Sequence, residues 1–314
     1  MSWYIDPEPA VGYWGPQTST LTWCEEKYRW TKYIAEPCNS FSNLLFVGLA
    51  SYGVHWARRA QLPAAFIWCY LGIGLIGIGS FLFHATALYS MQALDELPMV
   101  YTTVLFSWAV FETTPIGQKS RFRILLPAAI FLFLIFYTAA YFLNKENTLL
   151  HQLTYAILQL GSASRLFSLL SSSPQSALSK KGGKQAQVRA QVKHLFWLST
   201  GGFALGFAIW NVDNIFCKSL RDTRARLGPV LGVLLEGHAW WHFLTGYGAY
   251  LAGLAGSFLI GAIRESPDAF EVRYKDRYGI LPYLVRVQPK PQLNGHSNGL
   301  SNGNGHVLKN GKAH

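Results

Sequence analysis

This chain is short of charge. Asp, Glu, Lys and Arg make up 14% of its 314 residues, against roughly a quarter in an ordinary soluble chain. Half of the residues are apolar and 15% are aromatic, a composition that leans towards a membrane protein. Acid is scarcer than base, 16 residues against 27, for a net charge of +11. The Lys and Arg fall mainly in connectors between apolar runs, so the excess reads as membrane topology and not as a nucleic-acid surface. Cysteine is scarce too, and its four residues have no zinc-ribbon spacing. Cys24, Cys38 and Cys217 are placed to face an oxidising lumen, whereas Cys69 lies inside an apolar run as a buried thiol. The N-terminus lacks a basic segment followed by an apolar one, so no cleavable signal is expected and the first span is expected to direct insertion.

What the chain does have is length of hydrocarbon. Apolar runs of spanning length, roughly 20 residues each, fall at 39–57, 63–84, 95–112, 124–143, 148–170, 195–216 and 231–261. The first, third and fifth connectors carry Arg58 and Arg59, then Lys119, Arg121 and Arg123, then Lys180, Lys181, Lys184, Arg189 and Lys193. The second has no Lys or Arg and the fourth has only Lys145. Positive residues concentrate on the cytoplasmic side, so the expected fold is all-α: a polytopic seven-transmembrane helix bundle with a lumenal N-terminus and a cytosolic C-terminus. The sixth connector, with Lys218, Arg221, Arg224 and Arg226, runs against the trend. The expected organisation is a lumenal segment 1–38, a seven-span domain 39–263 and a cytosolic tail 264–314. The tail, rich in Asn, Gly and Ser, is expected to be disordered from about 288, with its His296, His306 and His314 as low-complexity residues. The stretch SSSPQSALSKKGGKQAQVRAQ is expected to be a mobile cytosolic loop.

That topology puts the end of span 2, the start of span 3 and the start of span 7 on one side. His84, Asp95, His238 and His242 are thereby at one depth. Ionisable groups at the mouths of membrane helices point to a site before they point to packing. His238 and His242 are four residues apart and leave one helix face, as in zinc proteases, although the HExxH glutamate is absent. With His84 they match the ligand count of a catalytic zinc that keeps one position open. Ser80 lies one turn before His84, and Asp95 opens span 3, where a helix N-terminus favours a carboxylate. The plainer alternative is that Ser80 bonds back to its own helix and Asp95 is an ordinary N-terminal carboxylate. Trp240 and Trp241 read as interfacial anchors. Asp213, in WNVDNIFC, either hydrogen-bonds a ligating imidazole or belongs to a helix cap or polar network.

Several long segments resemble the alkaline ceramidase family: GYWGPQTSTLTWCEEKY, IAEPCNSFSN, FHATALYSMQALDELPMVY, WNVDNIFCKSLR and GHAWWHFLTG, covering most of residues 12–255. The resemblance implies a membrane amidohydrolase of the endoplasmic reticulum or Golgi, with its active site on the lumenal side. Its substrate would be ceramide-type lipid, cut into a sphingoid base and a fatty acid. It implies that His84, His238 and His242 bind zinc, with Ser80 and Asp95 at the metal. Chemistry agrees: zinc lowers the pKa of its water to about 7, Asp95 passes that proton to the leaving amine, and Ser80 holds the developing oxyanion.

The family also implies a calcium site near the zinc, drawing on the Trp23 carbonyl, Glu25 and Glu36. Here the chain departs from the pattern, with Thr22 where an Asp is usual and Lys27 where an Asn is usual. Calcium wants several oxygens and tolerates a neighbouring ammonium poorly. The expectation is that the Lys27 ammonium replaces the cation by pairing with Glu25 and Glu36. Cys24 and Cys217 both fall on the lumenal side within family-like motifs, so they are either a disulfide or two separate thiols. Two other functions stay open on sequence: a related lipid-remodelling hydrolase, and a seven-span receptor whose histidines hold a structural metal.

Overall fold

A computed structural model describes residues 10–145, 147–171 and 183–289. The low-complexity tail beyond 289, with His296, His306 and His314, lies outside the described residues, as does most of the Ser- and Lys-rich stretch before residue 183.

An N-terminal segment carries a minimal hairpin, β1 (Val11–Gly12) and β2 (Gly15–Pro16), and then a one-and-a-half-turn helix α1 (Pro37–Ser42). Long helices follow: α2 (Leu44–Arg59), α3 (Ala64–Thr86), α4 (Tyr89–Phe111), α5 (Leu125–Leu143), α6 (Thr148–Leu170) and α7 (Gly183–Ile215). After α8 (Cys217–Gly232) and a single 3-10 turn at Val233–Leu235 comes α9 (Gly237–Arg264). The chain closes on an antiparallel hairpin of β3 (Phe270–Tyr274) and β4 (Pro282–Arg286), in register from Phe270 opposite Arg286 to Tyr274 opposite Pro282. The architecture is therefore mostly helical, with two small hairpins that an all-α reading omits. Phe270, Val272 and Leu284 of the second hairpin are buried, so residues 270–286 form a packed cap on the bundle.

The stretch expected to be a loop also needs correcting. From Gly183 onward it is the first part of α7, and Val188, Val192 and Leu195 are buried at helical spacing. Its basic residues obscure that apolar stripe in the sequence.

The bundle is inside-out by the standards of a soluble protein. On α5 only Tyr137 and Tyr141 are buried, while Phe131 and Phe136 are 64% and 69% exposed. A helix of mean hydropathy 2.1 with that much bare hydrocarbon is suited to a lipid environment. Four helical stretches are long and apolar enough to cross a membrane: Ala64–Thr86, Leu125–Leu143, Gly183–Ile215 and the continuous stretch Cys217–Arg264. The remaining long helices are shorter or more polar. α2 has 16 residues, and α4 carries Asp95, Glu96 and an internal Pro98.

The core lies where α9 packs on α7 and α2, and α2 and α4 flank α3. Phe46, Phe66, Tyr70, Leu195, Leu251 and Phe258 belong to one buried cluster there. Small residues let these helices approach. A Cβ on Gly79 of α3 would lie 2.1 Å from the Leu94 carbonyl oxygen of α4, so only glycine admits this crossing. Ser80 and Asp95 are the next residues along on each side. Ala87, in the left-handed region at φ 56°, ends α3 and turns the chain within two residues into α4.

Candidate metal centre and active site

The N-terminal segment is what completes the site. It runs beside the end of α3, with the Ala35 and Glu36 amides donating to the Ala85 and His84 carbonyls at 2.9 Å each. This lays Glu36 against His84 and starts α1 at the mouth of the bundle. Pro37 at the first turn fixes that start, since its missing N–H has no helical partner to lose. The segment is pinned at a second point by a disulfide between Cys24 and Cys217 of α8.

Three imidazoles meet in the space so enclosed. His84 ends α3, and His238 and His242 lie on the first turns of α9. Their ring centroids are 5.0 Å (His84 to His238), 5.0 Å (His84 to His242) and 4.6 Å (His238 to His242) apart. One nitrogen from each lies within 4.8 Å of the other two, and all three residues are buried. Three imidazoles so close, away from water, make a donor set for one cation of zinc's type.

The outer edges of two rings are held. His84 Nδ1 lies 2.6 Å from Glu36 Oε2, and His242 Nδ1 lies 2.7 Å from Ser42 Oγ. Ser42 already donates to the Asn39 carbonyl, so its oxygen is left to accept from His242 Nδ1–H. In both rings a donating Nδ1 leaves Nε2 as the lone-pair nitrogen, the usual tautomer of a metal-binding imidazole. His238 differs. Its ring stacks on Trp23 at 4.2 Å, and its Nδ1 is buried with no hydrogen-bond partner among the described residues. An imidazole nitrogen buried without a partner is costly, and a metal ion held by that nitrogen would relieve the cost. The residues fit zinc.

Ser80 and Asp95 sit as close neighbours of this cluster. Ser80 is buried one turn before His84, and its hydroxyl is hydrogen-bonded to the Asp95 carboxylate across the Gly79 crossing. Asp95 is thus held by α3 as well as by its own helix. Asp213 has a different place from the imidazole contact that was one of its two sequence readings. Its Oδ1 accepts the Gly237 amide at 3.2 Å, fixing the residue before His238. A Cβ at position 237 would lie 2.8 Å from the Asp213 Cβ, so glycine is required for that approach.

The calcium residues do not fit a calcium ion. Lys27 Nζ lies 3.3 Å from Glu36 Oε1, with both side chains nearly fully buried. Burial by itself would raise the Glu36 carboxyl, but the Lys27 ammonium and the hydrogen bond with His84 overcome it and hold it at about 2. The two Glu25 oxygens accept the Cys38 and Asn39 amides at 2.7 and 2.8 Å and so cap α1. Burial, with Glu236 and Glu36 nearby, pushes Glu25 up to about 8 in spite of those amides. Thr22 contributes no charge, and its hydroxyl accepts from Gln17 at 3.2 Å. A fixed ammonium on Glu36, together with one neutral residue in the Asp position, leaves too few oxygens for a calcium shell. Trp23 serves as the stacking face for His238.

A model of the ceramidase family matches residues 15–285. The chain belongs to the ceramidase family. Among its relatives, alkaline ceramidase 3 of Mus musculus is 39% identical over 246 residues, 77% of this chain and 85% of that protein. Alkaline ceramidase YPC1 of Saccharomyces cerevisiae is 32% identical over 259 residues, 78% of each chain. An alkaline ceramidase of Arabidopsis thaliana is 27% identical over 283 residues, 89% of this chain and 97% of that protein. The match takes in every residue discussed in this family member's site, from Trp23 to His242.

Sequence reasoning missed the residues behind the imidazoles. Nothing in the spacing of Ser42 pairs it with His242, 200 residues away. Glu36 had drawn attention as a calcium ligand, and its contact with His84 emerges only from the path of the N-terminal segment.

Proposed function

We propose that this chain is a membrane amidohydrolase that cleaves the N-acyl amide bond of ceramides to a sphingoid base and a free fatty acid. The observation that carries the reading is the buried convergence of His84, His238 and His242 next to the Ser80–Asp95 pair. When held by the three imidazoles, zinc supplies Lewis acidity, lowering the pKa of water towards about 7 and polarising the amide carbonyl.

The chain's own residues supply the proton traffic. Asp95 accepts a proton from the attacking water as the carbon–oxygen bond forms, then delivers it to the amide nitrogen as the carbon–nitrogen bond breaks. One water is consumed, and the products are an amine and a carboxylic acid. Ser80 has a second task. While Asp95 is ionised, the Ser80 hydroxyl donates to it. Once Asp95 carries the proton, it can donate to Ser80 Oγ, and the serine hydrogen is released to the developing oxyanion. The oxyanion donor thus becomes available in step with the charge it stabilises.

The same reading places the seven helices α2–α7 and α9 across an endoplasmic reticulum or Golgi membrane, with the N-terminal segment and the site lumenal and the C-terminal hairpin cytosolic. The positive connectors support that orientation. A ceramide then lies with its two tails among the helices and its amide at the boundary, where water reaches it.

The deciding experiment is metal analysis of the purified protein beside hydrolysis of a panel of ceramide, dihydroceramide and phytoceramide. About one zinc per chain with release of fatty acid from a panel member is the expected result. Bound zinc without hydrolysis of any amide or ester lipid would refute the enzymatic reading.

A further inference from the structure

A groove with a cavity volume of about 700 Å³ runs along the outer face of α2 and α3. Its walls are hydrocarbon: Val54 of α2 faces Leu71, Leu75 and Ile78 of α3. Its floor is at Gly74, where a Cβ would stand only 3.2 Å from that of Ala50. At one end the lining changes sharply to His55, Arg58 and Arg59, in the last turns of α2. Arg58 and Arg59 are exposed, and neither guanidinium forms an ion pair with a carboxylate among the described residues. Arg59 lies over the ring of Trp56, 5.7 Å from its centroid, which holds it at this end.

Length and charge together select an occupant. From Val47 to Arg59 the groove follows α2 for about 18 Å at the helical rise, close to the roughly 15 Å thickness of one leaflet's hydrocarbon. An acyl chain fills such a groove, and an anionic headgroup then reaches the two arginines. The metal centre lies at the other end of both helices, beyond Asn43 of the α1–α2 junction and at His84 of α3, so this is a separate location. We infer that the α2–α3 groove binds one anionic glycerophospholipid, with an acyl chain along the groove and its phosphate at Arg58 and Arg59. The two basic residues mark the cytoplasmic side in the topology proposed above, the leaflet in which anionic lipids are enriched. The binding does not depend on what the metal centre catalyses.

The test is lipid retention. Full-length protein is reconstituted in an equimolar mixture of palmitoyl-oleoyl phosphatidylglycerol and palmitoyl-oleoyl phosphatidylcholine, re-extracted, and its retained lipid counted by native mass spectrometry. One phosphatidylglycerol is expected to stay bound in preference to phosphatidylcholine. The double variant R58Q/R59Q should weaken that retention on the order of 30-fold, from two basic contacts, and R58K/R59K should largely preserve it. Ser51→Phe, on the exposed wall of the groove, should also displace the lipid while leaving both arginines in place. Metal content is the check that each variant is folded. Equal retention of the two lipids, retention unaffected by R58Q/R59Q or by Ser51→Phe, or displacement by millimolar inorganic phosphate would each overturn the assignment.

Discussion

Replacing Lys27 with Met tests whether a fixed ammonium does the work of a cation beside the metal centre. The Lys27–Glu36 contact is 3.3 Å long and almost without solvent. At an effective dielectric of about 20, two unit charges at that distance attract by about 5 kcal/mol. Removing one member of a buried pair leaves the other charge uncompensated and typically costs about 3–5 kcal/mol. At roughly 2–4 °C per kcal/mol for a large domain, the variant should unfold on the order of 10 °C lower. Glu36 also accepts from His84 Nδ1, so the variant should bind zinc about 10–100-fold more weakly, the usual penalty for disturbing the partner of a metal-bound histidine. Thermal unfolding followed by tryptophan fluorescence and a zinc competition titration read the two effects. The double variant K27M/E36Q separates them. With both charges gone it should recover much of the stability, yet its zinc affinity should stay low because His84 has lost its carboxylate. A Lys27→Met protein with unchanged melting and unchanged zinc affinity would refute the idea that Lys27 acts through Glu36.

Three further outcomes are expected. Asp95→Asn should retain zinc but lose hydrolysis by about 10²–10⁴-fold, the contribution of a positioned general base; equal loss of metal and activity would make Asp95 a structural residue. Calcium chelation with EGTA should leave the activity of the unmodified chain unchanged, whereas the double variant T22D/K27N should become chelator-sensitive, since it replaces an ammonium with oxygen ligands. Asp276 accepts the amides of Tyr278, Ile280 and Leu281 in the turn between β3 and β4, and chiefly the Ile280 and Leu281 bonds hold its carboxyl below its ordinary value of 3.8. Because the folded pKa is the lower one, the carboxylate supports the turn above about pH 4 and its support fades as the pH falls through that range. The protection of those three amides, measured against their intrinsic exchange rates, should therefore fall on acidification in the unmodified chain and be low at all pH in Asp276→Ala.

The reach of local pattern explains what could be read without coordinates. His238 and His242 share a face because four residues make about one helical turn, and Ser80 and His84 are related in the same way. Hydrophobic runs announced the helices because hydrocarbon-length segments have few other uses. Local pattern also misled where two signals overlapped: Val188, Val192 and Leu195 form a helical stripe, but the Arg, Gln and Lys among them read as loop. The hairpin at 270–286 escaped notice because five-residue strands carry little periodicity and its partner surface is supplied by α2 and α9.

By itself the sequence determined the three imidazoles, the serine and aspartate beside them, and the apolar segments that bring them to one level. It also showed the Thr22 and Lys27 departures, since those are matters of residue identity. Only the tertiary structure decided what stands behind each imidazole: Glu36 against His84, Ser42 against His242, and Trp23 stacked on His238. It decided too that Lys27 meets Glu36 and that Asp213 braces the Gly237 backbone. The physical reason is range. A helix dictates neighbours three and four residues away, whereas these contacts join an N-terminal segment to helices as many as 215 residues later, and that path is set by packing across the mouth of the bundle.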